Sequence, residues 1–298
     1  MRALVTGGRG FVGTWLSSFL AEAGDEVVAI DHEVDVTDGK AMLDAVVGAA
    51  PDAIYHLAAL SHVGRSWEDP GDVLRVNALG TLYLLEAARA CSRTPTVLLT
   101  SSAEVYGAVA PEDLPVTEVQ PLAPVTPYAA SKVSAEYLGV QAGLAHGLPV
   151  IRVRPFNHVG PGQSDAFVVP ALAARIVEAQ RTGTATIPIG NLSARRDLTD
   201  VRDVVRAYRL LIERGRPGEI YNVCTGRDVA ISEVAETLLA LAGAELELVA
   251  DPELFRPVDV PVVRGDPTRL REATGWEPEI DLGTTLRDVL TFWQDRRP

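Results

Sequence analysis

Residues 1–13, MRALVTGGRGFVG, set where the rest of the chain must lie. Arg2–Thr6 reads as a short buried strand around the apolar run Ala3-Leu4-Val5, and Phe11–Phe19 reads as a helix. Between them Gly7, Gly10 and Gly13 recur at three-residue spacing, as G-x-x-G-x-x-G. A strand, a glycine turn and a helix make the opening unit of a dinucleotide-binding fold. Glycines let the backbone turn sharply and let a pyrophosphate approach the N–H groups at the helix N-terminus, where Phe11 and Val12 lie. Three glycines also suit a plain tight turn, so the motif draws its meaning from the residues downstream of it.

Val27–Ile30 is a second apolar strand, ending in Asp31. A carboxylate there accepts both ribose hydroxyls of NAD and repels a 2′-phosphate; the other use of such a residue is as a solvated strand-end acid. Arg9 inside the loop leaves NADP open. Val34–Val36 reads as a third short strand, with Asp35 and Val36 at the adenine edge. Asp38 caps a helix running to about Ala49, and Ala53–Leu57 is the fourth strand. Leu57 and the small residues Ala58 and Ala59 suit a strand end that passes under a dinucleotide. Ser61, just beyond, is a candidate substrate contact.

A helix from about Gly71 to Cys91 carries Asn77, which suits either a cofactor contact or a bond to backbone near the sheet. Thr96–Thr100 is the fifth strand and runs into Ser101-Ser102-Ala103-Glu104-Val105-Tyr106-Gly107. A proline-rich loop, Pro111–Pro127, leads into a long helix from Tyr128 to about His146. Val150–Val153 is the sixth strand, with Pro155 past its end on the cofactor side. This alternation implies an α/β fold, a Rossmann-type doubly wound parallel sheet over residues 1–156. From Asn157 the texture changes, and residues 157–298 read as a smaller C-terminal α/β substrate-binding lobe. Segments within about 195–223 return to the main sheet. No flexible linker separates the lobes, so they are expected to share a cleft.

Composition narrows the function. The 298 residues carry 40 acids against 27 bases, a net charge of −13, which argues against a nucleic-acid surface. No segment approaches a membrane-spanning run, and the chain starts in a strand without a signal-peptide pattern, which points to the cytoplasm. Cys91 and Cys224 lie outside any C-x-x-C, so neither a disulfide framework nor a metal site is expected. An acidic protein that handles an anionic substrate must gather its arginines locally.

Tyr128 and Lys132 stand four apart on one helix and emerge on one face. An ammonium beside a phenol is expected to stabilise the phenolate and lower its pKa, and the same lysine can hold the nicotinamide ribose. Ser102, leaving the fifth strand, faces that pair and can donate to a reacting oxygen. Y-x-x-x-K is common on helices, but after a glycine loop, an acidic strand end and a strand-end serine it becomes specific.

With GGRGFVG, HLAA, SSAEVYG, PYAASK, RPFNHVGPGQ and RRDLTDVRD in hand, the sequence resembles the extended short-chain dehydrogenase/reductase family along essentially its whole length. The resemblance implies a nucleotide-sugar substrate whose C4 exchanges hydride with a nicotinamide. Tyr128 is then the acid/base, Lys132 its helper and Ser102 the oxygen-polariser. FNHVGPGQ, GNLSARRD, YNVCTG and RPVDVP look most like the GDP-mannose branch, which holds 4,6-dehydratases and the reductases of GDP-4-keto-6-deoxy-mannose. The match is nearest to the reductases. Asn157 and Asp259 correspond to contacts of the glycosyl phosphate and the nucleotide ribose, and Asn191 in GNL to the surroundings of the base. Arg196 and Arg256 suit the two phosphates, with ion pairing to Asp197 or Asp259 as their other use.

In this resemblance a dehydratase carries an acid and a base after the serine, at Ala103 and Glu104. Alanine cannot move a proton, so reduction is favoured over dehydration, while Glu104 keeps a proton-abstracting role open. Reductases of this branch often use NADPH, whereas Asp31 points to NAD. Dehydratase and 4-epimerase remain the alternatives within the family, and a non-catalytic nicotinamide-sensing regulator the alternative outside it. The presence of Ser102, Tyr128 and Lys132 together speaks against the last. The family resemblance also implies a homodimer joined through the helices near 71–91 and 128–146.

Overall fold

A computed structural model describes residues 1–255 and 260–296. Its first half follows the alternation of the sequence: β1 (Arg2–Thr6), α1 (Phe11–Glu22), β2 (Glu26–Ile30), α2 (Gly39–Ala49) and β3 (Ala53–His56). Next come α3 (Pro70–Leu74), α4 (Gly80–Ala90), β4 (Thr96–Thr100), α5 (Pro127–His146) and β5 (Val150–Pro155). The second half begins with β6 (Asn157–Val159), α6 (Val168–Thr182), β7 (Thr186–Ile189), β8 (Arg195–Asp200), α7 (Val201–Arg214) and β9 (Ile220–Val223). It ends with β10 (Asp228–Ala230), α8 (Ile231–Ala242), β11 (Glu247–Ala250), β12 (Val262–Val263), α9 (Thr268–Thr274) and α10 (Leu282–Asp295).

The main sheet is parallel, in the order β2-β1-β3-β4-β5-β9. Strand order reverses at β1, so a crevice opens above the carboxyl ends of β1 and its neighbours. Register places the glycine loop there: Thr6 lies opposite both Ile30 and His56, level with the ends of β2 and β3. Two buried layers hold the sheet. Leu16 and Leu20 of α1 pack with Tyr208 and Leu211 of α7 on one face, and Met42, Val46, Leu84 and Leu85 of α2 and α4 cover the other. The smaller lobe has its own core, in which α6, α8 and α10 close over β7 and β8.

Three readings of the sequence are revised. Val34–Val36 is not a strand: Asp35 Oδ1 accepts from the Thr37 N–H and hydroxyl, and Asp38 caps α2, so the acids fold this stretch into turns. The sixth strand of the main sheet is supplied instead by β9, from the second half of the chain. The single helix expected near 71–91 is a continuous helical run in which Arg75–Leu79 forms a π-helical turn between α3 and α4. Within 195–223, α7 and β9 pack onto the main sheet, whereas β8 pairs with β6, β10 and β12 in a separate small sheet. No helix among the described residues is long and apolar enough to cross a membrane.

Candidate active site

A cavity of about 700 Å³ runs along the carboxyl edge of the main sheet, between the two lobes. Its first end is made largely of backbone. Gly7 has φ +68° and a side chain there would meet Ala58 backbone at 2.9 Å; a Cβ on Gly13 would lie 2.1 Å from the Gly7 carbonyl oxygen. The loop therefore packs tightly against the end of β3 and folds back on itself at the start of α1, a turn that a side chain at either position would force open. Gly10 is the N-cap of α1 and supplies no side-chain cap, which leaves the first N–H groups of α1 turned toward the cavity. Phe11 and Val12 line it as well.

Asp31 lines the same end, and its carboxylate accepts from the Arg9 N–H (2.7 Å) and the His32 N–H (2.9 Å). These bonds tie the β2 terminus to the glycine loop and leave Asp31 facing the cavity. Arg9 pairs with Glu33 at 3.2 Å and is largely exposed. Asp35 and Val36 border the cavity from the turn that replaces the expected strand, and Leu57, Ala58, Ala59 and Ser61 border it from the end of β3.

Below this surface, His56 is fully buried between Thr6 Oγ1 (2.8 Å) and Thr81 Oγ1 (3.1 Å). Thr81 donates its own hydrogen to the Asn77 carbonyl (2.6 Å), so His56 carries its proton on Nε2 and accepts at Nδ1. Burial, with the Lys132 charge nearby, lowers its pKa to about 3, and it stays neutral. Asn77 is buried and does not line the cavity. Its Nδ2 donates to Leu60 O (3.1 Å) and Ser131 Oγ (2.9 Å), and its Oδ1 accepts from the Leu60 N–H (2.8 Å). It supports the loop after β3 and, through Ser131, the Tyr128 carbonyl.

At the second end, Ser102 ends β4's extension and caps the 3₁₀ turn Ala103–Tyr106, with Oγ accepting from the Glu104 N–H at 3.2 Å. Tyr128 and Lys132 lie on the first turns of α5, which starts with Thr126 as N-cap and Pro127 at its first position. Ser102, Glu104, Tyr128 and Lys132 all face the cavity, and so do Pro155 and Asn157. Lys132 Nζ donates to the Thr100 carbonyl (3.0 Å) and stands 6.0 Å from the Tyr128 ring centroid. Burial lowers the Lys132 pKa to about 8.

The expected lowering of the Tyr128 pKa is not what the structure gives. Loss of hydration pushes the phenol up to about 12; the neighbouring Ser102 hydroxyl pulls it down and the Glu104 charge adds to the rise. With Lys132 turned to Thr100, desolvation wins.

The arginine expectations fare unevenly. Arg196 is buried and does not reach the cavity, because its guanidinium donates to the carbonyls of Arg195 (2.9 Å) and Val260 (2.8 Å) and fastens β8 to the strap beside it. Asn191 is also away from the cavity, with Oδ1 accepting from the Ser193 N–H and hydroxyl. Arg256 and Asp259 lie outside the described residues. The cavity lining also includes residues that were not foreseen, among them His158, which stacks on Phe11 (centroids 6.1 Å, 10° between planes), Ser101, whose buried hydroxyl has no partner among the described residues, and Tyr208, which reaches in from α7. His158 and Ser101 stand inside motifs already quoted, whereas nothing local marks Tyr208.

Comparison with known proteins agrees with this geometry. Residues 30–289 match the family model described as GDP-mannose 4,6 dehydratase. The chain is 40% identical over 298 residues to the GDP-6-deoxy-D-mannose reductase of Pseudomonas aeruginosa, with 99% of this chain and 98% of that one covered. Among solved structures, RMD from Pseudomonas aeruginosa complexed with NADPH matches with a TM-score of 0.92 at 39% identity, covering 100% of each chain. The UDP-glucose 4-epimerase of Thermus thermophilus in complex with NAD matches with a TM-score of 0.89 at 30% identity, again covering 100% of each chain.

Proposed function

Because the chain belongs to the extended short-chain dehydrogenase/reductase family, in its GDP-mannose branch, we propose that it is an NAD(P)-dependent reductase of GDP-4-keto-6-deoxy-D-mannose, yielding GDP-rhamnose. The observation that carries this reading is Ala103. It faces the cavity between Ser102 and Glu104, where a dehydratase of the resemblance would need a proton-donating side chain. Reduction needs no such group.

The glycine cradle fits a dinucleotide, since a Cβ at Gly7 or Gly13 would strike the Ala58 backbone or the Gly7 carbonyl, and only glycines allow the tight turn that brings the first N–H groups of α1 to the cavity. Gly7, Gly10 and the first N–H groups of α1 would hold the pyrophosphate, Asp31 and Asp35 the adenosine half, and Lys132 the nicotinamide ribose. The bound cofactor supplies the hydride. Ser102 donates a hydrogen bond to the C4 oxygen and polarises the carbonyl, and Tyr128 delivers its proton to that oxygen as negative charge develops. A phenol held near pKa 12 is in its acid form at neutral pH, which is the form a reduction requires. Asn157 reaches the cavity from the lobe and suits the glycosyl phosphate; Arg256 and Asp259 follow their motif positions in the family.

The protein is proposed to act as a homodimer in the cytoplasm. Tyr137 and Leu144 lie two turns apart on α5, 58% and 85% exposed, with Leu74 of α3 also uncovered, and both cysteines are free thiols. Sedimentation of the parent and of Leu144→Glu tests the interface: a monomeric parent sinks it.

The deciding experiment mixes the protein with GDP-4-keto-6-deoxy-D-mannose and NADH, then NADPH, and follows the nicotinamide absorbance. Stoichiometric oxidation is expected. If neither cofactor is consumed, the reductase reading fails. Glu104 keeps dehydration as the second reading, and a 4-keto product from GDP-mannose and NAD without net reduction would establish it.

A further inference from the structure

Behind the end proposed for the reaction lies an almost wholly buried polar cluster that does not line the cavity. Arg154 of β5 forms a two-pronged pair with Glu136 of α5: Nε donates to Oε2 at 3.0 Å and NH2 to Oε1 at 2.6 Å. The side chains are 5% and 1% exposed. The third corner of the guanidinium, NH1, donates to the Tyr106 hydroxyl (2.9 Å) and the Glu118 carbonyl (3.2 Å). Tyr106 in turn donates to Asn222 Oδ1 (2.7 Å), and its ring lies 4.8 Å from the guanidinium carbon. Asn222 closes the network from β9, with its N–H on Glu118 Oε1 (2.8 Å) and Nδ2 on the Val116 carbonyl (2.9 Å).

The sequence positions of these partners give the cluster its meaning. Tyr106 is the last residue of the 3₁₀ turn that Ser102 caps and that carries Glu104. Glu136 lies one helical turn beyond Lys132 and two beyond Tyr128, on the same helix. One guanidinium therefore holds the turn bearing Ser102 and the helix bearing Tyr128 in a fixed relation through four hydrogen bonds. A planar fork does this where a lysine ammonium cannot, because it satisfies two carboxylate oxygens and a hydroxyl in one plane.

We propose that Arg154, acting through Glu136 and Tyr106, is a positioning residue that sets the alignment of the Ser102 hydroxyl against Tyr128. Resting on the catalytic roles proposed above, it predicts that the cluster governs turnover rather than binding, since none of its members reaches the cavity. Small misalignments of a donor and an acid at a reacting oxygen cost rate steeply.

A stability role and a positioning role separate in one double variant. Arg154→Met alone leaves the buried Glu136 carboxylate without its two-pronged partner, with Arg152 beside it at 3.7 Å, and is expected to lower the melting temperature sharply. Replacing both partners, Arg154→Met with Glu136→Met, removes that carboxylate, leaves Arg152 on the Gly218 carbonyl (2.6 Å), and is expected to restore most of the melting temperature, because a buried ion pair exchanged for apolar groups of like size is often neutral in stability. If the cluster aligns the site, the restored double variant still shows kcat lower by about tenfold or more, with KM and the Kd for NADPH (by nicotinamide fluorescence) within about twofold of the parent. Tyr106→Phe, which keeps the ring, is expected to lower kcat about fivefold with the same split. Recovery of kcat together with the melting temperature overturns the inference. Turnover is read on whichever reaction the parent runs, ketosugar with reduced cofactor or GDP-mannose with NAD. A parent that runs only the second sinks the reductase reading and leaves this comparison intact, while a parent inert in both overturns the two together.

Discussion

At the end of the cleft proposed for the dinucleotide the contact surface is largely backbone, and at the end proposed for the reaction it is side chain. The first is shaped by what Gly7 and Gly13 lack: any Cβ would collide with Ala58 or with the Gly7 carbonyl. The second is shaped by groups driven into burial against their own preference, a phenol near pKa 12 and an ammonium near pKa 8. Binding and chemistry thus rest on different physics, and substitutions at the two ends are expected to move different parameters.

The largest separation is expected from Tyr128→Phe. Losing the proton donor lowers kcat by about 10²–10⁴, while the Kd for the cofactor stays near the parent value. Equal losses in both would mean the two ends are not separable. The mirror experiment is Gly13→Ala. Its Cβ would stand 2.1 Å from the Gly7 oxygen and 2.8 Å from Gly8 Cα, so the loop must move. Cofactor affinity is expected to fall by about 100-fold, roughly 2.7 kcal/mol, and a Kd within threefold of the parent would dismiss the cradle.

Lys132 sharpens the contrast from the side of stability. Its folded pKa lies below the unfolded value of about 10.4, so burial of the charged form costs stability below pH 8, and that cost fades as pH rises toward 10.4. Set against the lost bond to Thr100, Lys132→Met is expected to raise unfolding stability by about 2 kcal/mol at pH 7 while removing activity. Denaturant melts should show the gain shrinking between pH 8 and 10.4. A gain that is flat with pH, or a loss, would mean the lysine is not held at a cost.

Much of this division could be read in the sequence, and the reason is range. The glycine spacing, Asp31 and the Tyr128–Lys132 pair are set by neighbours within a turn or a strand, so local pattern placed them along one cavity. Val34–Val36 misled because β-forming residues there sit among Asp31, Asp35 and Asp38, whose carboxylates bond nearby N–H groups and win the backbone for turns. Arg196 misled in another way. Its charge suggested phosphate, but β8 buries it where its guanidinium donates to the Arg195 and Val260 carbonyls. Tyr208 and the Arg154 cluster join segments far apart in the chain, and no spacing announces such a meeting.

The smallest expected effect concerns cofactor choice, where the two sources of information pull apart. Asp31 presents a carboxylate to the adenosine end, and relatives of this fold carry NADPH in one structure and NAD in another. The carboxylate here is partly engaged, since the N–H groups of Arg9 and His32 both donate to it. Those two bonds spread its charge and weaken the repulsion it can exert on a 2′-phosphate. Arg9, paired with Glu33 at the surface, is free to swing toward such a phosphate at little cost because an exposed pair contributes about 1 kcal/mol or less. The parent is therefore expected to use both cofactors, with NADH favoured modestly. Asp31→Asn should shift the NADH-to-NADPH ratio of kcat/KM toward NADPH by about tenfold, and Arg9→Ala back toward NADH by about threefold. If Asp31→Asn leaves the ratio unchanged, Asp31 serves to pin the glycine loop and not to read the ribose.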